Sequence, residues 1–147
     1  MATVHVKQST TVPPDRFIAA LTNFGPGRGE IFAYSQEGSV RVNSRGDAWA
    51  DVTEGSAGGV WERLRYDWSQ AGVVRLSTVD SDIWAVGSGW TYTLASRPDG
   101  GTDVDLVVVR RGRNVRGRVA AGLVALAGGW LLGRDLRRIL RAVERSG

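Results

Sequence analysis

Any chemistry in this chain would have to come from carboxylates, tyrosines and arginines. The sequence holds no cysteine and one histidine, His5. That excludes disulfides, thiolate metal sites, cysteine catalysis and a multi-histidine metal centre. No Ser-His-Asp set and no phosphate-binding glycine loop is present, so neither a metal nor a cofactor is expected. The residue that stands out is Glu62, in "VWERLRYDWS". Strand alternation puts it on the same side as Val60, Leu64, Tyr66 and Trp68, and a carboxylate on an apolar face can serve as general acid or base. Tyr66 and Tyr92 could donate to an enolate beside it. The competing reading is structural: Glu62 paired with Arg75 or Arg110. Asp80 and Asp82 sit at a strand end, where solvated turn residues are common. His5, opposite Val4 and Val6 on its strand, reads as exposed.

The elements that must hold these residues follow from period and punctuation. "TVHVKQSTTV" (3–12) reads as a strand. "PPD" at Pro13–Asp15 ends it and opens a helix with Phe17, Ile18, Leu21 and Phe24 on its apolar face. "GPGRG" breaks that helix, and "EIFAYS" (30–35) gives one more short turn. The pattern then changes to period two. Ser39–Gly55 reads as a strand with a bulge near Gly46, followed by strands at 60–69, 73–80, 89–94 and 102–111. Each has one apolar side: Val74, Leu76 and Thr78; Trp90, Tyr92 and Leu94; Val104, Leu106 and Val108. "SQAG" and "RPDGG" are turns between them. Residues 115–145 contain no proline and no β-branched run. They read as one helix of roughly 30 residues, about 45 Å long.

Within that helix the uncharged run Val119–Gly133 is 15 residues long, short of the roughly 20 that a bilayer span needs. Leu132, Leu136, Ile139, Leu140 and Val143 share one face, with arginines opposite. Carried back along the helix, that face meets only small residues, while Leu123, Leu126 and Trp130 lie elsewhere. The expectation is a bend at Gly128–Gly129 that turns these three toward the sheet. The alternative is a straight helix that leaves them exposed and in need of a partner or membrane surface.

The chain of 147 residues has a net charge of +4 and is 42% hydrophobic, which suits one globular domain over 1–147. Lys7 is the only lysine, and ten arginines fall between Arg110 and the C-terminus against Asp135 and Glu144. The tail is therefore +8 and the body −4. A basic tail suggests an anionic partner, or simply a solvated helix face. Nucleic acid is not expected, because the aromatics lie on strands facing the helix rather than interleaved with the arginines. "MATVHVKQSTTV" lacks the basic and apolar segments of a secretory signal, so a cytoplasmic location is expected.

With these elements in order, the chain resembles the START/Bet v 1-like (SRPBCC) helix-grip superfamily, in its bacterial polyketide cyclase/dehydrase and lipid-transport branch. The resemblance rests on "VPPDRFIAALTNF", "VWERLRYDWS", "GSGWTYTL" and "GTDVDLVVVRRG" running into the last helix. Similar segments recur in small actinobacterial members. It implies an α+β fold of order β-α-α-β(5–6)-α, with a curved antiparallel sheet wrapped around the long C-terminal helix. It also implies a cavity between sheet and helix. The cavity candidates are Leu64, Tyr66, Leu76, Trp90, Tyr92, Leu106 and Val108 from the sheet, and Leu123, Ala127 and Trp130 from the helix. The function implied is binding or transport of a hydrophobic small molecule, lipid or polyketide-like, rather than catalysis. Two alternatives stand beside it. One is a cyclase/dehydratase-type enzyme using Glu62 and the pocket tyrosines. The other is an interaction protein using its arginine-rich helix, for instance against an anionic membrane. A monomer and a homodimer both fit.

Overall fold

A computed structural model describes residues 1–56 and 59–146. The elements run β1 (Ala2–Thr10), α1 (Pro14–Leu21), α2 (Arg28–Ile31), β2 (Arg41–Arg45), β3 (Trp49–Gly55), β4 (Trp61–Asp67), β5 (Val73–Ser81), β6 (Gly89–Ser96), β7 (Thr102–Arg110) and α3 (Val115–Ser146). All seven strands form one antiparallel sheet in the order β1-β7-β6-β5-β4-β3-β2. Neighbours from β2 to β7 are consecutive in sequence, so turns join them. Only β1 crosses over, and α1 and α2 lie in that crossover.

The period-two alternation of the sequence becomes the two sides of the sheet. Leu64, Tyr66, Leu76, Trp90, Tyr92, Leu106 and Val108 all point inward and are buried. Phe17 and Leu21 of α1 and Leu136, Ile139, Leu140 and Val143 of α3 complete the core. Pro14 opens α1, where its missing N–H costs nothing. The Asn114 side chain accepts from the Gly117 backbone N–H at 2.8 Å and caps α3.

Ser39–Gly55 differs from the single bulged strand expected there. It is a hairpin, β2 and β3, closed where the Gly46 N–H donates to the Trp49 carbonyl at 2.9 Å. β2 is exposed along its whole length. It is an edge strand with no buried side, so its sequence carries no alternation that would separate it from β3.

The expected bend in α3 is also corrected. The helix is continuous from Val115 to Ser146, and Leu123, Leu126 and Trp130 stay on the outside, 62%, 87% and 68% exposed. The reason is close packing. Gly117, Ala121 and Gly128 form the buried side of its first half. A Cβ on Gly128 would lie 2.8 Å from the Val4 Cγ2 atom, and one on Gly117 would lie 2.0 Å from the Ile83 carbonyl oxygen. The small residues bring the helix backbone down onto β1 and the Ile83 loop, and so leave no space there.

Candidate functional site

The cavity lies further along, under the second half of α3. It has a volume of about 340 Å³ and is partly open to solvent. Its floor is Trp90 and Tyr92 of β6 and Leu106 of β7. Its roof is Leu131, Leu132, Asp135, Leu136 and Ile139 of α3, and its flank is Ala33, Tyr34 and Ser56. The walls are mostly apolar. Several polar groups face them without a hydrogen-bond partner among the described residues, the Tyr92 hydroxyl being one. The Tyr34 hydroxyl is fully buried and makes no hydrogen bond, the sole such side-chain atom among the described residues. The Asp135 carboxyl is half-buried and likewise forms no hydrogen bond or ion pair there.

These groups are tuned by their surroundings. Burial pushes the Asp135 carboxyl above the ordinary carboxylate range, against the pull of Arg138. Burial, and then the neighbouring Tyr66 phenol, push Tyr34 well above the ordinary tyrosine value. Burial, and then Tyr34, do the same to Tyr92. Tyr34 and Tyr92 are therefore neutral hydrogen-bonding groups throughout the physiological range. The Tyr34 ring stacks on Trp90, with centroids 5.3 Å apart and planes 26° apart, so its hydroxyl is held by a rigid aromatic pair.

Beneath this wall lies a buried polar network. Arg28 Nε donates to Glu54 Oε1 and to Ser35 Oγ, both at 2.9 Å. Its Nη1 donates to the carbonyls of Leu21 at 2.8 Å and Asn23 at 2.9 Å, and its Nη2 to the Tyr66 hydroxyl at 2.8 Å. The Tyr66 hydroxyl in turn donates to Glu54. The guanidinium also lies over the rings of Phe24 and Phe32. Burial disfavours the Arg28 charge, but Tyr66, Tyr34 and Glu54 outweigh it and hold its pKa above the ordinary value. This network ties the C-terminal end of α1 and the whole of α2 to β3 and β4, and so fixes the segment that presents Tyr34.

The sequence-derived candidates divide into three groups. Trp90, Tyr92 and Leu106 line the cavity. Leu64, Tyr66, Leu76 and Val108 are buried core residues outside its lining, and the Tyr66 hydroxyl is committed to Glu54 and Arg28. Leu123, Ala127 and Trp130 are exposed on the outer side of α3, for the packing reason given above.

Glu62 follows its structural reading. Arg110 Nη1 donates to its Oε2 at 2.9 Å and Nη2 to its Oε1 at 3.3 Å, and the Thr78 hydroxyl donates to Oε2. No tyrosine hydrogen-bonds to Glu62 among the described residues. Arg110 lies 3.7 Å over the Trp90 ring, so this ion pair braces one residue of the cavity floor. His5 is exposed and bonds to Asp105 on β7.

Sequence reasoning missed Tyr34, Asp135 and the Arg28–Glu54 pair. Asp135 had a legible signal: it is flanked by Leu132, Leu136 and Ile139, the apolar face of its helix. Tyr34 had none, since it lies in an aperiodic segment between α2 and β2. Arg28 was hidden in a glycine-rich breaker, and its pairing with Glu54 spans 26 positions.

No protein-family model matches the chain, and no match to a curated protein was found. Solved structures do match it. A START superfamily protein from Mycobacterium smegmatis superimposes with a TM-score of 0.76 at 9% identity, covering 100% of both chains. An aromatase/cyclase from a Streptomyces species gives 0.75 at 16% identity, covering 97% of this chain and 93% of the other. A protein from Thermus thermophilus gives 0.75 at 16% identity over 99% of each chain. At such identities the likeness is one of fold. With its seven-stranded antiparallel sheet gripping a long C-terminal helix, this chain has the START/Bet v 1-like helix-grip fold.

Proposed function

We propose that this protein binds a hydrophobic small molecule, lipid or polyketide-like, in the cavity under the second half of α3. The observation that carries this reading is the cavity's composition. It is an apolar chamber faced by polar groups, among them the Tyr34 and Tyr92 hydroxyls and the Asp135 carboxyl, that make no hydrogen bond among the described residues. A buried hydroxyl without a partner costs about 1–3 kcal/mol, and a bound ligand with a matching group would recover that. The volume of about 340 Å³ is at the small end of ligand cavities, which run from roughly 300 to 1,000 Å³. The likeness in fold to a START protein and to an aromatase/cyclase supports the same reading. The catalytic alternative loses Glu62, whose carboxylate is held by Arg110 and Thr78.

Isothermal titration with 2-naphthol and with dodecanol tests the reading. Both carry an apolar body and one hydroxyl, one flat and one linear. Saturable binding of either is expected. Tyr34→Phe should weaken it about five- to tenfold, the worth of one hydrogen bond. Ala33→Trp, on the exposed rim, should abolish it. Binding that Ala33→Trp leaves untouched would place the ligand elsewhere, and no binding of either compound would count against the reading.

A further inference from the structure

The outward side of α3 carries one continuous row of residues at i+3 and i+4 spacing, the spacing that stacks side chains on one helix face. Its first four members are Val119, Leu123, Leu126 and Trp130, each at least 61% exposed. The row then continues as Arg134, Arg137, Arg141 and Arg145. None of these arginines forms a salt bridge among the described residues. Arg134 lies 5.5 Å over the Trp130 ring, at the join between the two halves. The helix contains a stretch with mean hydropathy 1.3 that is only 22% buried. A core helix of that hydropathy would be mostly covered.

We propose that this row is a docking surface for an anionic lipid leaflet. The four apolar residues would enter the boundary between headgroups and acyl chains, with Trp130 at headgroup level, and the arginines would meet lipid phosphates. Charge and area both favour this occupant over a second copy of the chain. The apolar part of the row spans about 16 Å along the helix. That is narrow for the roughly 800 Å² per partner of a stable interface. A second copy would bring no carboxylate row to the four unpaired arginines, since the row itself holds no Asp or Glu. A negatively charged surface meets the unpaired arginines of the row's C-terminal half, while Arg113 and Arg116 at the other end are already paired with Asp80 and Asp82. Leu131, next in sequence to Trp130, is half exposed and lines the cavity. The row therefore leads to the cavity's rim, although docking itself does not depend on the cavity being a binding site.

The test is co-sedimentation of the full chain with vesicles of phosphatidylcholine alone and of phosphatidylcholine mixed with phosphatidylglycerol. Binding to the mixed vesicles only, weakened by added salt, is expected. Arg137→Gln and Arg141→Gln should each weaken it about fivefold, the worth of one cation at an anionic leaflet. Leu126→Glu should abolish it while leaving the circular dichroism unchanged, because that side chain touches little of the protein. No sedimentation with the mixed vesicles would overturn the proposal, as would equal sedimentation of Leu126→Glu. A solution dimer that Leu126→Glu splits would also overturn it, by assigning the face to a second copy.

Discussion

The two halves of α3 are built from similar residues and do opposite things. The first half presents Gly117, Ala121 and Gly128 to the protein and Leu123, Leu126 and Trp130 to solvent. The second half presents Leu136, Ile139, Leu140 and Val143 to the protein and its arginines to solvent. The first half resembles the second turned inside out. Both halves run along β1, with Gly128 against Val4, Gly133 against Val6, and Glu144 accepting from the Thr10 hydroxyl at 2.8 Å; the difference lies in how close the backbone comes. In the first half, over Val4 and the Ile83 loop, the backbone sits so close that a Cβ would clash. Toward β6 and β7, Leu132, Leu136 and Ile139 of the second half share with the cavity the space above Trp90, Tyr92 and Leu106. Backbone distance thus decides which part of one helix packs and which part can roof a chamber.

The largest effect that would sharpen this contrast is Leu136→Ala. Leu136 is fully buried beside the cavity, and its truncation should cost about 2–5 kcal/mol in urea denaturation. Next come the paired glycines. Gly128→Ala pushes a Cβ to 2.8 Å from Val4 Cγ2 and 3.0 Å from Val124 Cγ1, on two β-branched side chains that cannot easily turn aside. Overpacking of about 1–3 kcal/mol should exceed the roughly 1 kcal/mol gained in helix propensity. Gly129→Ala, one position on, meets open space and should stabilise by about 1 kcal/mol. Equal signs for these two substitutions would contradict the close approach of helix to β1.

A smaller change, with a pH signature, is expected at Asp135. Its folded pKa is raised above the ordinary carboxylate value of 3.8, chiefly by burial. The folded state therefore holds this proton more tightly than the unfolded state does. Stability falls as pH rises from the unfolded value through the folded one, and the ionised side chain carries the penalty at neutral pH. Asp135→Asn should raise the melting temperature at pH 7, and the gain should vanish as the pH falls below about 4. A loss at neutral pH would mean that the carboxylate has a stabilising partner. The smallest effect is Leu126→Ala, which should shift stability by no more than about 0.5 kcal/mol. A cost like that of Leu136→Ala would show the outer stripe to be covered in solution.

The fold was legible because its signals are periodic. Alternation in β4 to β7 assigned Leu64, Tyr66, Leu76, Tyr92, Leu106 and Val108 to the inner face, and all are buried there. The apolar face of the second half of α3 was equally readable from Leu132 through Val143. The first half was misjudged for a physical reason. An exposed Leu123–Trp130 stripe carries a solubility cost, and that cost argued for a bend. Sequence does not report how closely Gly128 approaches Val4. The candidate site was legible only where strands supply it, at Trp90, Tyr92 and Leu106. Tyr34 and Ser56 reach it from irregular segments, and the Arg28–Glu54 pair that fixes Tyr34 exists only once α2 has docked on the sheet.

The central claim is that the chamber under the second half of α3 holds a ligand. Native mass spectrometry of the freshly purified chain, with organic extraction of any bound molecule, tests it most directly. The expected result is a defined added mass that extracts into solvent and is absent from Ala33→Trp prepared in the same way. An added mass carried equally by Ala33→Trp would place the molecule elsewhere. A bare protein mass that stays bare after incubation with 2-naphthol and dodecanol would contradict the claim.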